Sequence, residues 1–126
     1  MRLLISLSVI IVIFIGFAFH IQNDILAEVN DMRSWVAEIT DLVQKEDWHE
    51  ARINILNLRE NWKEIEGKWD LFLSHHEIDE FDLILVRVIS FIESKESPSA
   101  LAELASLYTK LGHIYSKESL SFQNIL

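Results

Sequence analysis

Hydrophobic positions divide this chain into two unlike parts. From Leu3 to Phe19 no residue is charged, and only Ser6 and Ser8 are polar. At about 1.5 Å per residue the run makes a helix of roughly 26 Å, close to the thickness of a bilayer's hydrocarbon core. Beyond it, Ile25, Val29, Met32, Val36, Ile39 and Val43 are spaced alternately by four and three residues. That spacing places them on one face of a helix. No stop signal separates this stripe from the apolar run. A single helix is therefore expected to leave the membrane and enter the domain.

The next start signal is Asp47, with Glu50 at the position a capping box needs. The helix it opens carries Trp48, Ala51, Ile55, Leu58, Trp62, Ile65, Trp69 and Phe72, and Ile53, Leu56 and Leu71 widen its apolar face. Bulky indoles suit a bundle core better than a two-stranded seam. Gly67 weakens this helix by about 1 kcal/mol relative to Ala and offers a place for a neighbouring helix to come close. Ser74 and Glu77 form a second capping box, with Leu73 and Ile78 as a hydrophobic staple. The third helix follows with Ile78, Phe81, Leu85, Val88 and Ile92, reinforced by Ile84 and Phe91. Ser97-Pro98 opens the fourth, with Ser97 as the expected cap and Pro98 in the first turn, where it costs nothing. Its expected stripe is Leu101, Leu104, Tyr108, Leu111 and Tyr115, with Ala105 and Ile114 alongside. The apolar tail, Phe122, Ile125 and Leu126, suggests docking on something apolar. Trp48 to Ala51 and Ala100 to Leu111 have a faint flavour of tetratricopeptide pairs, but no 34-residue period emerges. The predicted fold is all-α: an N-terminal transmembrane helix continuing into an antiparallel four-helix bundle. Residues 1–22 form the anchor, with Leu3, Ile10, Ile15 and Phe19 in lipid, and 23–126 the domain.

Composition narrows the partners. One Pro and three Gly in 126 residues favour helix. The net charge is −9, and all twenty acidic residues follow the apolar run. Such a domain is a poor partner for nucleic acid or anionic lipid. With no cysteine, disulfides, thiolate metal sites and a lipoprotein anchor are excluded. Arg2 precedes the span, whereas Asp24, Glu28 and Asp31 follow it. Positive residues stay inside, so the N-terminus is expected in the cytoplasm and the domain outside the cell membrane. Gly16-Phe17-Ala18 offers a signal-peptidase pattern. No helix breaker follows it, and an uncleaved single-pass anchor is the better reading.

Candidate chemistry is sparse. His75 and Asp79, and likewise His76 and Glu80, stand four apart, a geometry a divalent ion can use. His113 could add a ligand from the last helix. The same acids are explained by a helix start, where the dipole favours them. Arg87 lies in an apolar run and invites an ion pair with Glu80 or Glu103, partly buried and fixing helix register. Trp35, Trp48, Trp62 and Trp69 could be read as an aromatic ligand cage, but the last three share one stripe and, with Phe72 and Phe81, are expected in the core. No nucleophile elbow or phosphate loop is present. The expectation is a non-enzymatic interaction module without cofactor, docking on another membrane protein. The alternative is a metal- or small-ligand sensor built on His75, His76, Asp79, Arg87 and His113.

Several stretches together resemble one family: His75-His76-Glu77-Ile78-Asp79, Arg87, Ala100-Leu101-Ala102-Glu103-Leu104, His113-Ile114-Tyr115-Ser116-Lys117-Glu118 and Asn124-Ile125. They are similar to an uncharacterised bacterial membrane-anchored family, the domain of unknown function 4363, of spore-forming Firmicutes. The likeness extends over nearly the whole chain. It implies a bacterial origin, membrane attachment and an association with sporulation, with a membrane-protein partner, and it assigns no activity.

Overall fold

The computed structural model describes the backbone of residues 1–71 and 73–125, and the side chains of these as far as Lys117. Four helices account for it: α1 (Arg2–Gln44), α2 (Trp48–Trp69), α3 (His75–Glu93) and α4 (Ser97–Ile125). They run up and down in sequence, and each packs against the next. α1 closes the ring against α4. The expected all-α bundle with a continuous first helix is what forms.

α1 serves two purposes along one unbroken rod. Its first nineteen residues are exposed, including Leu3, Ile10, Ile15 and Phe19. They project beyond the bundle as a stem, long and apolar enough to cross a membrane. Partial burial begins at Ile21, and Ile25, Val29, Met32, Val36, Ile39 and Val43 are all in the core.

Two of the three turns are built alike without glycine. Glu46 and Lys95 both take a left-handed φ of 56°. The Asp47 and Glu96 amides donate to the Leu42 and Phe91 carbonyls, each at 2.9 Å. These six-to-one bonds tie off the ends of α1 and α3 in the Schellman manner. The positive φ strains a residue carrying a Cβ by about 1–2 kcal/mol. Glu46→Gly and Lys95→Gly should each stabilise the fold by up to about 1 kcal/mol in urea unfolding, the remainder being offset by glycine's freedom in the unfolded chain.

The likeness of the turns extends to the core. A shift of 49 residues carries Val29, Met32, Val36, Ile39 and Val43 onto Ile78, Phe81, Leu85, Val88 and Ile92. The same shift carries Ala51, Ile55, Leu58 and Trp62 onto Ala100, Leu104, Leu107 and Leu111. The bundle is thus two equivalent helical hairpins. Bulk differs most at Trp62 against Leu111, and the indole fills the centre.

Caps follow the sequence closely. Asp47 accepts from the Glu50 amide. At α3 both arms of the Ser74–Glu77 capping box are present, and the staple residues Leu73 and Ile78 are buried. The exception is α4, where Ser97 is the first helical residue and not the cap its sequence suggests, because the Ala100 amide already donates to the Glu96 carbonyl; Pro98 stands in the first turn as expected.

Three further expectations are corrected. The buried stripe of α4 is Ala100, Leu104, Leu107, Leu111 and Ile114, while Tyr108 and Tyr115 are exposed. Apolar residues occupy both 107 and 108, and both 114 and 115. The phenols go to the side where their hydroxyls reach water. Gly67 meets no neighbour among the described residues, since a Cβ there would touch none of them. Leu71 lies in solvent at the turn and Ile53 is also exposed, so of the three flanking residues Leu56 alone widens the core face. Trp62, Trp69 and Phe81 are fully buried, and Trp48, at the far end of the bundle, is half-buried against it. Phe72 and the side chains of the apolar tail lie outside the described residues.

Candidate functional site

The tryptophans do more than fill space. Trp62 donates its indole N–H to Asp82 Oδ1 at 2.5 Å, Trp69 to Glu28 Oε2 at 2.8 Å, and Trp35 to Asn54 Oδ1 at 3.2 Å. Each bond crosses to another helix: α2 to α3, α2 to α1, and α1 to α2. A buried indole needs such a partner, so these bonds fix the helices' axial positions. Trp62 meets Trp69 edge-on at 5.1 Å and Phe81 at 4.1 Å. Asp82, Glu28 and Asn54 carried no warning in the sequence. An acid three or four residues from an apolar stripe is the ordinary pattern of a solvated face.

A belt of charge crosses the bundle at the end nearer the stem. His75 Nδ1 approaches Asp70 Oδ1 at 3.1 Å, and His76 Nε2 approaches Glu80 Oε1 at 3.0 Å. Lys110 of α4 reaches Glu80 Oε2 at 2.6 Å, and Lys117 reaches Glu77 Oε1 at 3.0 Å. His113 lies one turn from Lys110 on an open groove with Glu80, Ile84, Ala105, Ser106 and Thr109. Among the described residues no three of His, Asp or Glu converge as a metal set. His75 turns back toward Asp70 instead of forward to Asp79, because it begins the helix and faces the preceding turn. Glu80 is shared by His76 and Lys110 and is not the partner of Arg87. Arg87 instead reaches Glu103 across the α3–α4 seam at 3.4 Å, with half of its side chain exposed.

Glu80 has a definite electrostatic consequence. The hydrogen bond from Lys110, then its charge, hold the Glu80 carboxyl below its ordinary value of 4.5, against a smaller opposing effect of burial. A carboxyl lowered in the folded state stabilises the fold above its unfolded value. That stabilisation disappears as pH falls through the folded value. The wild type should therefore lose stability between pH 4.5 and more acid conditions more steeply than Lys110→Met, as followed by urea unfolding at successive pH values. Equal slopes would remove the pair from the ledger of acid sensitivity.

The other seam of α4, with α1, holds a largely apolar groove. Ala37, Thr40, Leu104, Ala105, Tyr108 and Thr109 line a shallow space of about 350 Å³. One turn before Ala37, Arg33 lays its guanidinium over the Tyr108 ring at 4.4 Å, a cation–π contact. Its Nε is buried and has no hydrogen-bond partner among the described residues. A match to the domain of unknown function DUF4363 runs from residue 19 to residue 125. The chain belongs to that family. The DUF4363 match starts where the fully exposed stem gives way to the packed part of α1 and takes in all of α2, α3 and α4. It leaves out residues 1–18, although the resemblance read from the sequence extended over the span. No curated protein and no solved structure matches the chain.

Proposed function

We propose that this DUF4363 chain is a membrane-anchored, non-enzymatic helical module that docks laterally on another membrane protein. Residues 1–22 would be its anchor and 23–126 the docking domain, standing outside the cytoplasm because Arg2 precedes the span. The observation that supports this reading is the placement of the apolar α1–α4 groove. It lies along the same helix that forms the stem, so a partner embedded in the same bilayer meets it side-on. Small residues on both walls, Ala37 and Ala105, let a helix backbone come close.

Ala105→Trp tests the docking. Ala105 is exposed, so the indole fills the groove without entering the core. Full-length tagged protein is captured from gently solubilised membranes, and co-purifying membrane proteins are quantified. A partner recovered with wild type should fall roughly tenfold with the variant, equivalent to about 1.4 kcal/mol. Equal recovery would contradict docking at this groove. The ligand-sensor alternative draws support from the groove beside His113 and Lys110. Its metal form predicts that zinc or manganese raises the melting temperature, and an unchanged value would remove it.

A further inference from the structure

The fold settles which end of the bundle faces the stem. α2 ends beside Glu28: Lys68 Nζ lies 2.9 Å and Trp69 Nε1 2.8 Å from its carboxylate. Glu28 is nine residues past Phe19, about 14 Å along an α-helix. The α2–α3 turn goes on past Trp69 toward the stem, so Leu71 lies roughly 10 Å beyond the level of Phe19. A hydrocarbon core of about 30 Å carries a headgroup layer of about 5–7 Å on each side. A span of about 26 Å centred in that core ends about 2 Å inside its edge. Leu71 therefore sits at the outer boundary of the headgroups, within reach of its own side chain.

Leu71 is also out of place for a water-facing turn. It is 77% exposed, more than any other large apolar side chain described beyond the stem. Trp69 and Leu73, on either side of it in the chain, are both buried. The opposite turns, at Lys45–Glu46 and Ser94–Lys95, carry charged and polar residues.

We propose that the α2–α3 turn is a second membrane contact, with Leu71 seated in the lipid headgroup layer beside the anchor. The occupant of this apolar tip is the lipid surface itself. The contact holds the bundle upright on its stem and presents the α1–α4 groove sideways. This inference rests on the anchor reading of residues 1–22.

The chain has no cysteine, so single-cysteine variants of the full-length protein report cleanly. Ile10→Cys, Leu71→Cys and Lys95→Cys are labelled with an environment-sensitive fluorophore and reconstituted in phosphatidylcholine vesicles. Two nitroxide lipids serve as quenchers, one labelled at the headgroup and one deep in the acyl chain. The expected result is several-fold stronger headgroup quenching at position 71 than at position 95. Position 95 lies at the far turn, which is about 24 Å further along the bundle than Glu28. Deep quenching should appear at position 10 alone. Equal, weak quenching at 71 and 95 with deep quenching at 10 would overturn the turn contact and leave the anchor standing. A blue-shifted but unquenched label at 71 would overturn it in favour of a protein cover. Absence of deep quenching at position 10 would overturn the anchor and this inference together.

Discussion

Trp62→Ala should destabilise the bundle by about 3–5 kcal/mol, the range for removing a buried aromatic side chain. Trp62 is 1% exposed and touches Trp69 and Phe81. It is the one large ring at a central position whose equivalent in the second hairpin is Leu111. Truncation leaves a cavity between all the layers and removes the only hydrogen-bond donor described for Asp82. Small domains are stable by about 5–15 kcal/mol, so the loss is a large share of the whole. The melting temperature should drop by more than about 12 °C. Trp62→Phe separates packing from hydrogen bonding. It keeps most of the ring contact and gives up the N–H, for a cost of about 1–2 kcal/mol. Urea unfolding followed by circular dichroism measures both. A loss below about 1 kcal/mol in the alanine variant would show that Trp62 is not central to the core.

The second large effect belongs to the stem. Ile10 lies near the middle of the apolar run, and its side chain is exposed in the fold. An Asp at the centre of a transmembrane helix costs about 3 kcal/mol, roughly a hundredfold in the insertion equilibrium. Ile10→Asp should therefore shift the protein out of alkali-washed membranes, and adding Ile15→Asp should complete the shift. The bundle itself should remain helical and cooperative, because Ile10 and Ile15 are both exposed and pack against no part of it. Retention of the double variant in the washed membrane would mean that something other than the span holds the protein there.

Most of the fold was legible because local and tertiary signals agree. The α1 stripe from Ile25 to Val43 buries as its spacing demands, and the Ser74–Glu77 box ends in the structure it predicts. Legibility failed where the pattern was degenerate. In α4 the neighbouring pairs 107/108 and 114/115 are both apolar, so period alone could not choose the inner face. The second hairpin's likeness to the first resolves this, since Leu58 maps onto Leu107. The similarity was hidden because it lies in the spacing of buried positions and in turn geometry, with few identities to signal it. At the candidate sites the Arg87–Glu103 pair was readable as a charge in an apolar run. The Trp–carboxylate bonds and the Arg33–Tyr108 stack were not, because each depends on which faces of two distant helices meet.

The proposed anchor would make one helix both cross the membrane and build the core. The most direct measurement is the identity of the N-terminus on protein recovered from alkali-washed membranes. Intact-mass and peptide analysis should find residues 1–18 still attached, with the protein in the membrane pellet. A soluble form beginning after Ala18 would contradict it, making the apolar run a removed leader and leaving the bundle free of the bilayer.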